Sequence, residues 1–234
     1  MIKFNQLVTA GLASAVAAAA LTAPVASAEV SGSIGIASTY LWRGYDLGTG
    51  TPAVWGDLNY SNSGAYVGVW GSSGDTVYGT EYDLYAGYGF SFGADDMFSV
   101  DLSIWNYNYP TGAYEIDFAD LTEVILSVGV GPVALTVYDN VANNGGASYS
   151  GYRYYTASYA IGQFAITVGM HDNPSYYGYD PVHVNLDYAY NDNLVFTLSQ
   201  FVADEEGTVG GNGRNDIAGD DVKFVASYSI PIDL

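Results

Sequence analysis

The chain has 234 residues, with 5 Lys and Arg against 25 Asp and Glu, which gives a formal net charge of −20. Hydrophobic residues make up 49% of it and aromatic residues 15%, a composition that excludes an intrinsically disordered protein. So few basic residues argue against a nucleic-acid partner, and the lack of cysteine excludes disulfides and thiol chemistry. We therefore expect a folded, acidic protein.

The first 28 residues have the pattern of a cleaved secretory signal peptide. Lys3 supplies a positive charge, residues 7–21 are apolar and Ala-rich, and Ala26-Ser27-Ala28 places small residues where signal peptidase cleaves. The alternative is a buried Ala-rich helix of the mature fold. We predict that residues 29–234 form one mature domain, exported in a bacterium that has an outer membrane.

From residue 29 onward, apolar and mixed residues alternate with a period of two, which is typical of β-strands. Tyr82 and Leu84, for example, share one face of their segment, whereas Glu81 and Asp83 share the other. The first segment reads as a strand over residues 30–42. There are twelve such segments, which begin near residues 30, 52, 65, 80, 97, 119, 133, 152, 164, 182, 194 and 220.

The connections between these segments alternate between short and long. Short ones follow the even segments, at residues 61–64, 92–96, 131–132, 162–163 and 191–193. Longer ones follow the odd segments, at residues 45–50, 73–79, 107–118, 140–151, 172–181 and 203–219. Transmembrane barrels have this arrangement, with short periplasmic turns and long extracellular loops. A soluble β-sandwich has no reason to sort its loops in this way.

The two faces of the segments also favour a membrane barrel. One face is almost purely apolar and suits lipid, whereas the other carries Gly, Ser, Thr, Asp, Glu and Tyr and is too hydrophilic for a dry core. The last strand is apolar at alternate positions up to Leu234, which resembles the signal read by the outer-membrane insertion machinery. We predict an all-β, antiparallel transmembrane β-barrel of about twelve strands, with outer-membrane lipids and that machinery as partners.

Several motifs in the first third of the chain resemble a known family. In order, they are Ser38-Thr39-Tyr40-Leu41-Trp42-Arg43-Gly44, Pro52-Ala53-Val54-Trp55-Gly56, Gly64-Ala65-Tyr66-Val67-Gly68-Val69-Trp70-Gly71-Ser72 and Glu81-Tyr82-Asp83-Leu84-Tyr85-Ala86-Gly87-Tyr88. They are similar to the TorF-type porins, a family of bacterial outer-membrane barrel proteins catalogued as conserved hypothetical proteins. This resemblance implies a barrel in the outer membrane with a porin function.

The mixed face places charged residues inside the predicted barrel. They are Arg43, Asp57, Glu81, Asp83, Asp101, Glu123, Asp187 and Lys223. In one interpretation, Arg43 near the top of the first strand pairs with Glu81, Asp83 or Glu123 as a structural network, because an unpaired buried charge is costly. In the other, the surplus acids line a water-filled path that favours cations, with Arg43, Glu81, Asp83, Asp101 and Glu123 at the constriction.

The width of the lumen depends on which uncharged residues point inward. Twelve strands lie between the filled interior of an eight-stranded barrel and the open channel of larger porins. Inward glycines would widen the lumen at Gly68, Gly87, Gly89 and Gly169, whereas large aromatic residues would narrow it at Trp55, Trp70, Tyr85, Trp105 and Tyr107.

Three function classes follow from these features. The favoured one is a porin for passive diffusion of small solutes or ions, with a preference for cations, which needs no cofactor and is not an enzyme. The alternative is a non-conducting structural or adhesive barrel. A hydrolase at the outer rim would have to use His171 or His183, but no nucleophile motif accompanies them. Asp204, Glu205 and Glu206 form a weak calcium candidate in a loop, so no metal site is predicted.

Overall fold

The computed structural model describes residues 28–76, 78–111, 121–143, 151–172, 180–203 and 221–232. These residues form β-strands and one short 3-10 turn at Ala94–Asp96. The strands are β1 (Glu29–Ala37), β2 (Leu41–Trp42), β3 (Tyr45–Asp46), β4 (Ala53–Asn62), β5 (Ala65–Asp75), β6 (Gly79–Phe92), β7 (Phe98–Asn108), β8 (Leu121–Val130), β9 (Val133–Asn143), β10 (Arg153–Ile161), β11 (Phe164–Asp172), β12 (Val182–Ala189), β13 (Leu194–Ala203) and β14 (Lys223–Ile232).

Twelve of these strands close into one antiparallel barrel. Each pairs with its neighbours in the chain, and β1 closes the ring by pairing with both β4 and β14. Closure leaves no unpaired strand edge, as a membrane-spanning sheet requires. The predicted twelve-stranded barrel is therefore confirmed, and each barrel strand begins within three residues of its predicted start.

The outer surface of the barrel is apolar over its whole circumference. Outward side chains such as Val54, Leu102 and Ile161 expose 55%, 52% and 63% of their surface. Their neighbours in sequence point inward and are largely buried, among them Trp55, Asp101 and Ser103. Exposed apolar residues in such number are favourable only against lipid, so the faces are those of a transmembrane barrel.

No helix within the described part of the chain is long and apolar enough to cross a membrane.

The short turns join strands at the end of the barrel where β1 begins and β14 ends. At the turn between β4 and β5, Ser63 and Gly64 have φ of 52° and 90°, the left-handed values of a type I′ hairpin. One predicted long loop is wrong: β5 and β6 extend beyond the predicted ends, and Asp75 pairs with Gly79 after a register shift. Only residues 76–78 connect these two strands.

The predicted first strand is too long. β1 ends at Ala37, and residues 41–46 turn back as a separate two-stranded sheet in which Trp42 pairs with Tyr45. The reversal occurs at Arg43 and Gly44, whose φ values of 49° and 88° are those of a tight type I′ turn. Arg43 therefore lies at the tip of an inserted hairpin and not on the barrel wall, contrary to the prediction.

Candidate functional site

The hairpin β2–β3, called here the lumen hairpin, lies inside the barrel. Tyr40, Arg43 and Tyr45, at its base, tip and return strand, expose only 1%, 2% and 7% of their surface. The Tyr45 ring lies 4.9 Å from the Phe201 ring and 5.1 Å from the His171 ring, so the hairpin packs on the β11 and β13 walls. The Thr39 hydroxyl donates to Asp46, which ties the two ends of the hairpin together.

Arg43 forms a bidentate ion pair with Glu123 on β8. Nη2 lies 2.6 Å from Oε2 and Nη1 lies 3.0 Å from Oε1, and both side chains are almost fully buried. The Tyr107 hydroxyl on β7 also donates to Glu123, at 2.9 Å. Although burial lowers the pKa of Arg43, the neighbouring carboxylate raises it above its ordinary range. This paired fork is the strongest kind of arginine–carboxylate contact.

Aromatic rings surround the same guanidinium group. Its central carbon lies 4.6 Å from the centroids of Trp42 and Tyr138, 4.8 Å from that of Tyr154 and 5.6 Å from that of Tyr152. Arg43 Nη1 donates to the Tyr152 hydroxyl at 3.2 Å. We call Glu123, Tyr138, Tyr152 and Tyr154 the guanidinium cage; all four belong to the barrel, whereas Trp42 belongs to the hairpin.

A hydrogen-bonded chain also holds the backbone of the hairpin tip. His171 on β11 donates from Nε2 to the carbonyl oxygen of Arg43 at 2.8 Å. Its Nδ1 accepts from the Tyr152 hydroxyl at 2.8 Å, a tautomer assigned from these partners. Because the Tyr152 hydroxyl also accepts from the guanidinium, Tyr152 and His171 together link the side chain of Arg43 to its own backbone carbonyl.

Two acids on β6 flank the other side of the hairpin. Glu81 accepts from the hydroxyls of Tyr40, at 2.7 Å, and Tyr109, at 2.9 Å. Burial raises the pKa of Tyr40, and the carboxylates of Glu81 and Asp83 raise it further, so this tyrosine stays a hydrogen-bond donor. Asp83 is 3% exposed, and its Oδ1 has no hydrogen-bond partner among the described residues. This part of the lumen therefore holds two buried acids, and neither forms an ion pair with a basic side chain among the described residues.

Aromatic residues fill another part of the lumen, between β4 and β7. Trp55, Trp70, Tyr85 and Trp105 are all at least 93% buried, and Tyr85 stacks on Trp105 with ring centroids 4.2 Å apart. The Tyr85 hydroxyl donates to Asp57 at 2.8 Å. The hydroxyl of Tyr66 on β5 lies 2.9 Å from both carboxylate oxygens of Asp101 on β7. These acids are thus paired with tyrosines and not with Arg43.

Three of the four inward glycines do not widen the lumen. A Cβ at Gly68 would collide with the Tyr85 ring, one at Gly87 with the Tyr66 ring, and one at Gly169 with His183 and the Tyr154 hydroxyl. The prediction of a wider lumen at these positions is wrong because a neighbouring ring occupies the space that each glycine leaves. Gly89 lies opposite Asp101 in the β6–β7 ladder.

The two remaining charged candidates lie on β12 and at the start of β14. Asp187 on β12 accepts from the Thr197 hydroxyl at 2.5 Å. Lys223 at the start of β14 has its Nζ 5.5 Å from the Phe201 ring centroid. The structure therefore brings together Arg43 and Glu123 and places Glu81 and Asp83 beside the hairpin. Asp57, Asp101 and Asp187 have tyrosine or threonine hydroxyl groups as their described partners.

Both histidines point into the lumen and not toward the outer rim. His171 and His183 are 1% and 0% exposed. His183 accepts from the Tyr154 hydroxyl at 2.7 Å and donates to Asn185 at 3.1 Å. These partners describe a polar packing network, and the expectation that the chain is not an enzyme stays a prediction.

No group of three potential metal ligands occurs within the described residues. The weak calcium candidates Asp204, Glu205 and Glu206 lie outside those residues.

Sequence reasoning missed the aromatic part of the site. Tyr138 lies on β9, and Tyr152 and Tyr154 lie two residues apart at the start of the neighbouring β10. Nothing local to each tyrosine marks it as a partner of Arg43. The available signal was the inward alternation of Tyr152 and Tyr154 with Arg153, which predicts only that they face the lumen.

Comparison with solved structures finds other barrels. Outer membrane phospholipase A from Escherichia coli is 12% identical, with a TM-score of 0.47, over 88% of this chain and 90% of that one. The KdgM porin is 9% identical, with a TM-score of 0.46, over 88% and 99%. A mutant porin of Rh. blastica is 13% identical, with a TM-score of 0.37, over 78% and 55%. Likenesses of this kind say nothing about activity.

Comparison by sequence gives one family. A family model described as "Bacterial protein of unknown function (Gcw_chp)" matches residues 21–204, whereas no curated protein matches the chain. The TorF name from the motif resemblance stays a prediction, since the matching model does not carry it.

Proposed function

We propose, from the premise that this chain belongs to the bacterial Gcw_chp family, that it is a porin-like channel of the outer membrane. In this proposal, small ions or solutes diffuse passively through the lumen, with a preference for cations. No cofactor and no covalent step are involved. The cleaved signal peptide predicted for residues 1–28 accounts for its export.

The observation that supports this function is the excess of acids in the lumen. Arg43 is neutralised by its bidentate pair with Glu123, so it cancels only one acid. Glu81 and Asp83 lie beside the hairpin. Glu81 accepts hydrogen bonds from two tyrosine hydroxyls, whereas Oδ1 of Asp83 has no hydrogen-bond partner among the described residues. Negative charge that lines a low-dielectric passage raises the local concentration of cations and excludes anions.

The lumen hairpin is the constriction in this proposal. It crosses the barrel from the β6 side, where Tyr40 contacts Glu81, to the β13 side, where Tyr45 contacts Phe201. Its two strands pair with each other and form a sheet separate from the barrel ladder. A rearrangement of this hairpin changes the open cross-section without breaking the strand pairing of the wall.

A non-conducting structural or adhesive barrel is the second candidate. This candidate is favoured because the hairpin and a cluster of large aromatic side chains both occupy the lumen. The aromatic cluster consists of Trp55, Trp70, Tyr85 and Trp105. In that case the charged network would only stabilise the interior of the barrel.

Planar-bilayer recording of the purified mature protein separates these candidates. Ala37 and Ala53 lie opposite each other in the β1–β4 ladder, so replacing residues 38–52 by Asn-Gly joins the strands through a two-residue turn. We expect small, infrequent current steps from the wild type and larger, stable steps from the shortened variant. If the shortened variant folds but stays silent, the channel proposal is wrong and the structural barrel takes its place.

Selectivity is measured on the same bilayers with a KCl gradient. The shortened variant should show a reversal potential that favours K⁺, and this potential should move toward zero when Glu81→Gln and Asp83→Asn are added. Asp95→Asn with Asp96→Asn is the matched control, because these two acids are exposed in the turn at the opposite end of the barrel. An equal change in the control would contradict cation selection by the inner acids.

A further inference from the structure

The guanidinium cage is built by the barrel, but its occupant comes from the hairpin. Glu123, Tyr138 and Tyr154 stand on the adjacent strands β8, β9 and β10, and Tyr152 comes directly before β10. Arg43 reaches them from a hairpin that is not part of the barrel sheet. A site whose walls are fixed by the barrel keeps its shape when the occupant leaves.

The chemistry of the cage selects a particular kind of cation. The Glu123 carboxylate offers two oxygens to two nitrogens of one planar group, at 2.6 and 3.0 Å. The Tyr138 and Tyr154 rings lie 4.6 and 4.8 Å from the centre of that group. Guanidinium meets both requirements, since it is planar, forked and weakly hydrated, whereas a simple ammonium ion forms neither the paired fork nor the stack.

The surrounding charge excludes other occupants. Without Arg43, the carboxylate of Glu123, which is 0% exposed, would be buried without a cation. Asp83 on β6 is also buried near this position, and its Oδ1 lacks a described partner. An anion or a neutral solute would leave the Glu123 carboxylate uncompensated unless it took up a proton, so the emptied cage favours a cation.

We propose that the guanidinium cage is a binding site for solutes that carry a guanidinium group, and that Arg43 occupies it while the lumen hairpin is in place. A guanidinium solute and Arg43 compete for Glu123, so binding of the solute displaces the hairpin tip. This inference rests on the proposed channel function, because a solute reaches the cage only through the lumen.

The test uses Arg43→Ala with ethylguanidinium as the probe, because this ion supplies the side-chain atoms that the substitution removes. Binding to the folded protein in detergent is measured by titration calorimetry. We expect R43A to bind ethylguanidinium and to bind ethylammonium much more weakly. The wild type should bind ethylguanidinium on the order of tenfold more weakly than R43A, because Arg43 leaves the cage only in a minor state.

Two variants define the controls. Adding Glu123→Gln to R43A should abolish binding of ethylguanidinium. Arg153→Ala, which removes the exposed arginine paired with Asp139, should leave binding as in the wild type. If R43A folds but binds ethylguanidinium no better than ethylammonium, the inference is wrong.

R43A could fail to fold, since it leaves Glu123 buried and unpaired. Refolding yield then becomes the measurement: recovery with ethylguanidinium and not with ethylammonium supports the cage, and the lack of any recovery contradicts it. Binding and conductance are separate readouts. If ethylguanidinium binds but the bilayer shows no current, the channel proposal is wrong and the binding site stands. If current flows but ethylguanidinium does not bind, the binding-site inference is wrong and the channel proposal stands.

Discussion

At the residue scale, Arg43 combines an unfavourable backbone with a highly favourable side-chain environment. Its φ of 49° lies in the left-handed region, which costs a residue with a Cβ on the order of 1 kcal/mol or more. The pair with Glu123, the surrounding rings and the bond from His171 to its carbonyl oxygen offset this cost. The tip of the hairpin is therefore held by the lumen and not by its own local preference.

Loss of the carboxylate charge at Glu123 should strongly destabilise the barrel. Glu123→Gln keeps the size of the side chain but leaves the Arg43 charge buried without its partner, which costs about 3–5 kcal/mol. Urea unfolding of the protein in lipid vesicles, followed by tryptophan fluorescence, measures the change. Asp139→Asn is the control: it breaks the exposed pair with Arg153 and should change the unfolding midpoint little. Equal effects of the two substitutions would contradict a structural role for the buried pair.

The pairing of glycine with an aromatic ring is a second feature at this scale. Gly68 lies under the Tyr85 ring, so Gly68→Ala forces the ring away from its position on Trp105 and should cost about 1–3 kcal/mol. Gly56→Ala is the matched control, because a Cβ there meets only ordinary contacts at 3.6 and 3.7 Å. The control should stay within about 0.5 kcal/mol of the wild type. Similar unfolding midpoints for the two variants would show that the ring adapts freely.

At the element scale, the lumen hairpin is the part of the fold that can change without opening the barrel. Each of its strands has two residues, and their pairing is with each other. Its attachment depends on side-chain contacts at Tyr40, Arg43 and Tyr45. Because those contacts are side-chain contacts with three strands of the wall, β6, β8 and β13, weakening the tip should release the hairpin before it affects the strand ladder.

Gly44→Ala tests this expectation. Gly44 has a φ of 88°, and a Cβ there would lie 2.7 Å from His183 and 2.9 Å from Phe201, so the hairpin tip must move off the wall. We expect trypsin to cleave after Arg43, which is 2% exposed in the wild type, and single-channel current to increase. Gly50→Ala is the control: its φ is also positive, at 76°, but nothing lies within 4 Å of its Cβ. Resistance of G44A to trypsin, with unchanged current, would contradict release of the hairpin.

At the scale of the whole molecule, the barrel is an inverted protein, with its apolar residues outside and its polar network inside. Such an arrangement is stable only if lipid surrounds the outer face, because the exposed Val, Leu, Ile and Phe side chains have no other partner. The closed strand order removes the edges at which backbone groups would otherwise be unpaired in lipid.

A charged side chain on the outer face should therefore destabilise the barrel more strongly the closer it lies to the middle of the bilayer. Leu126 lies in the middle of β8 and is 44% exposed, whereas Val130 ends the same strand and is 52% exposed. Leu126→Arg should destabilise the barrel in lipid vesicles by about 2–4 kcal/mol, and Val130→Arg by about 0–1 kcal/mol. Urea unfolding in vesicles measures both. Equal costs at the two depths would mean that this face does not span a bilayer.

Strand number, strand position and the two faces could be predicted from the sequence, because period-two alternation and turn residues act between close neighbours in the chain. The alternation along one strand was therefore enough to predict that Glu81 and Asp83 both face the lumen. The same local rule misled at residues 38–43, where alternation continues but the type I′ turn at Arg43 and Gly44 takes the chain into the lumen.

Only the tertiary structure decided which partner Arg43 takes. Its contact with Glu123 joins residues 80 positions apart, and the bond from His171 to its carbonyl joins residues 128 positions apart. Such pairs exist only in the closed barrel, which brings β8 and β11 around the hairpin. The sequence determined a barrel with an acidic interior, whereas the closure of that barrel determined that its first loop fills the lumen and that the cage around Arg43 exists.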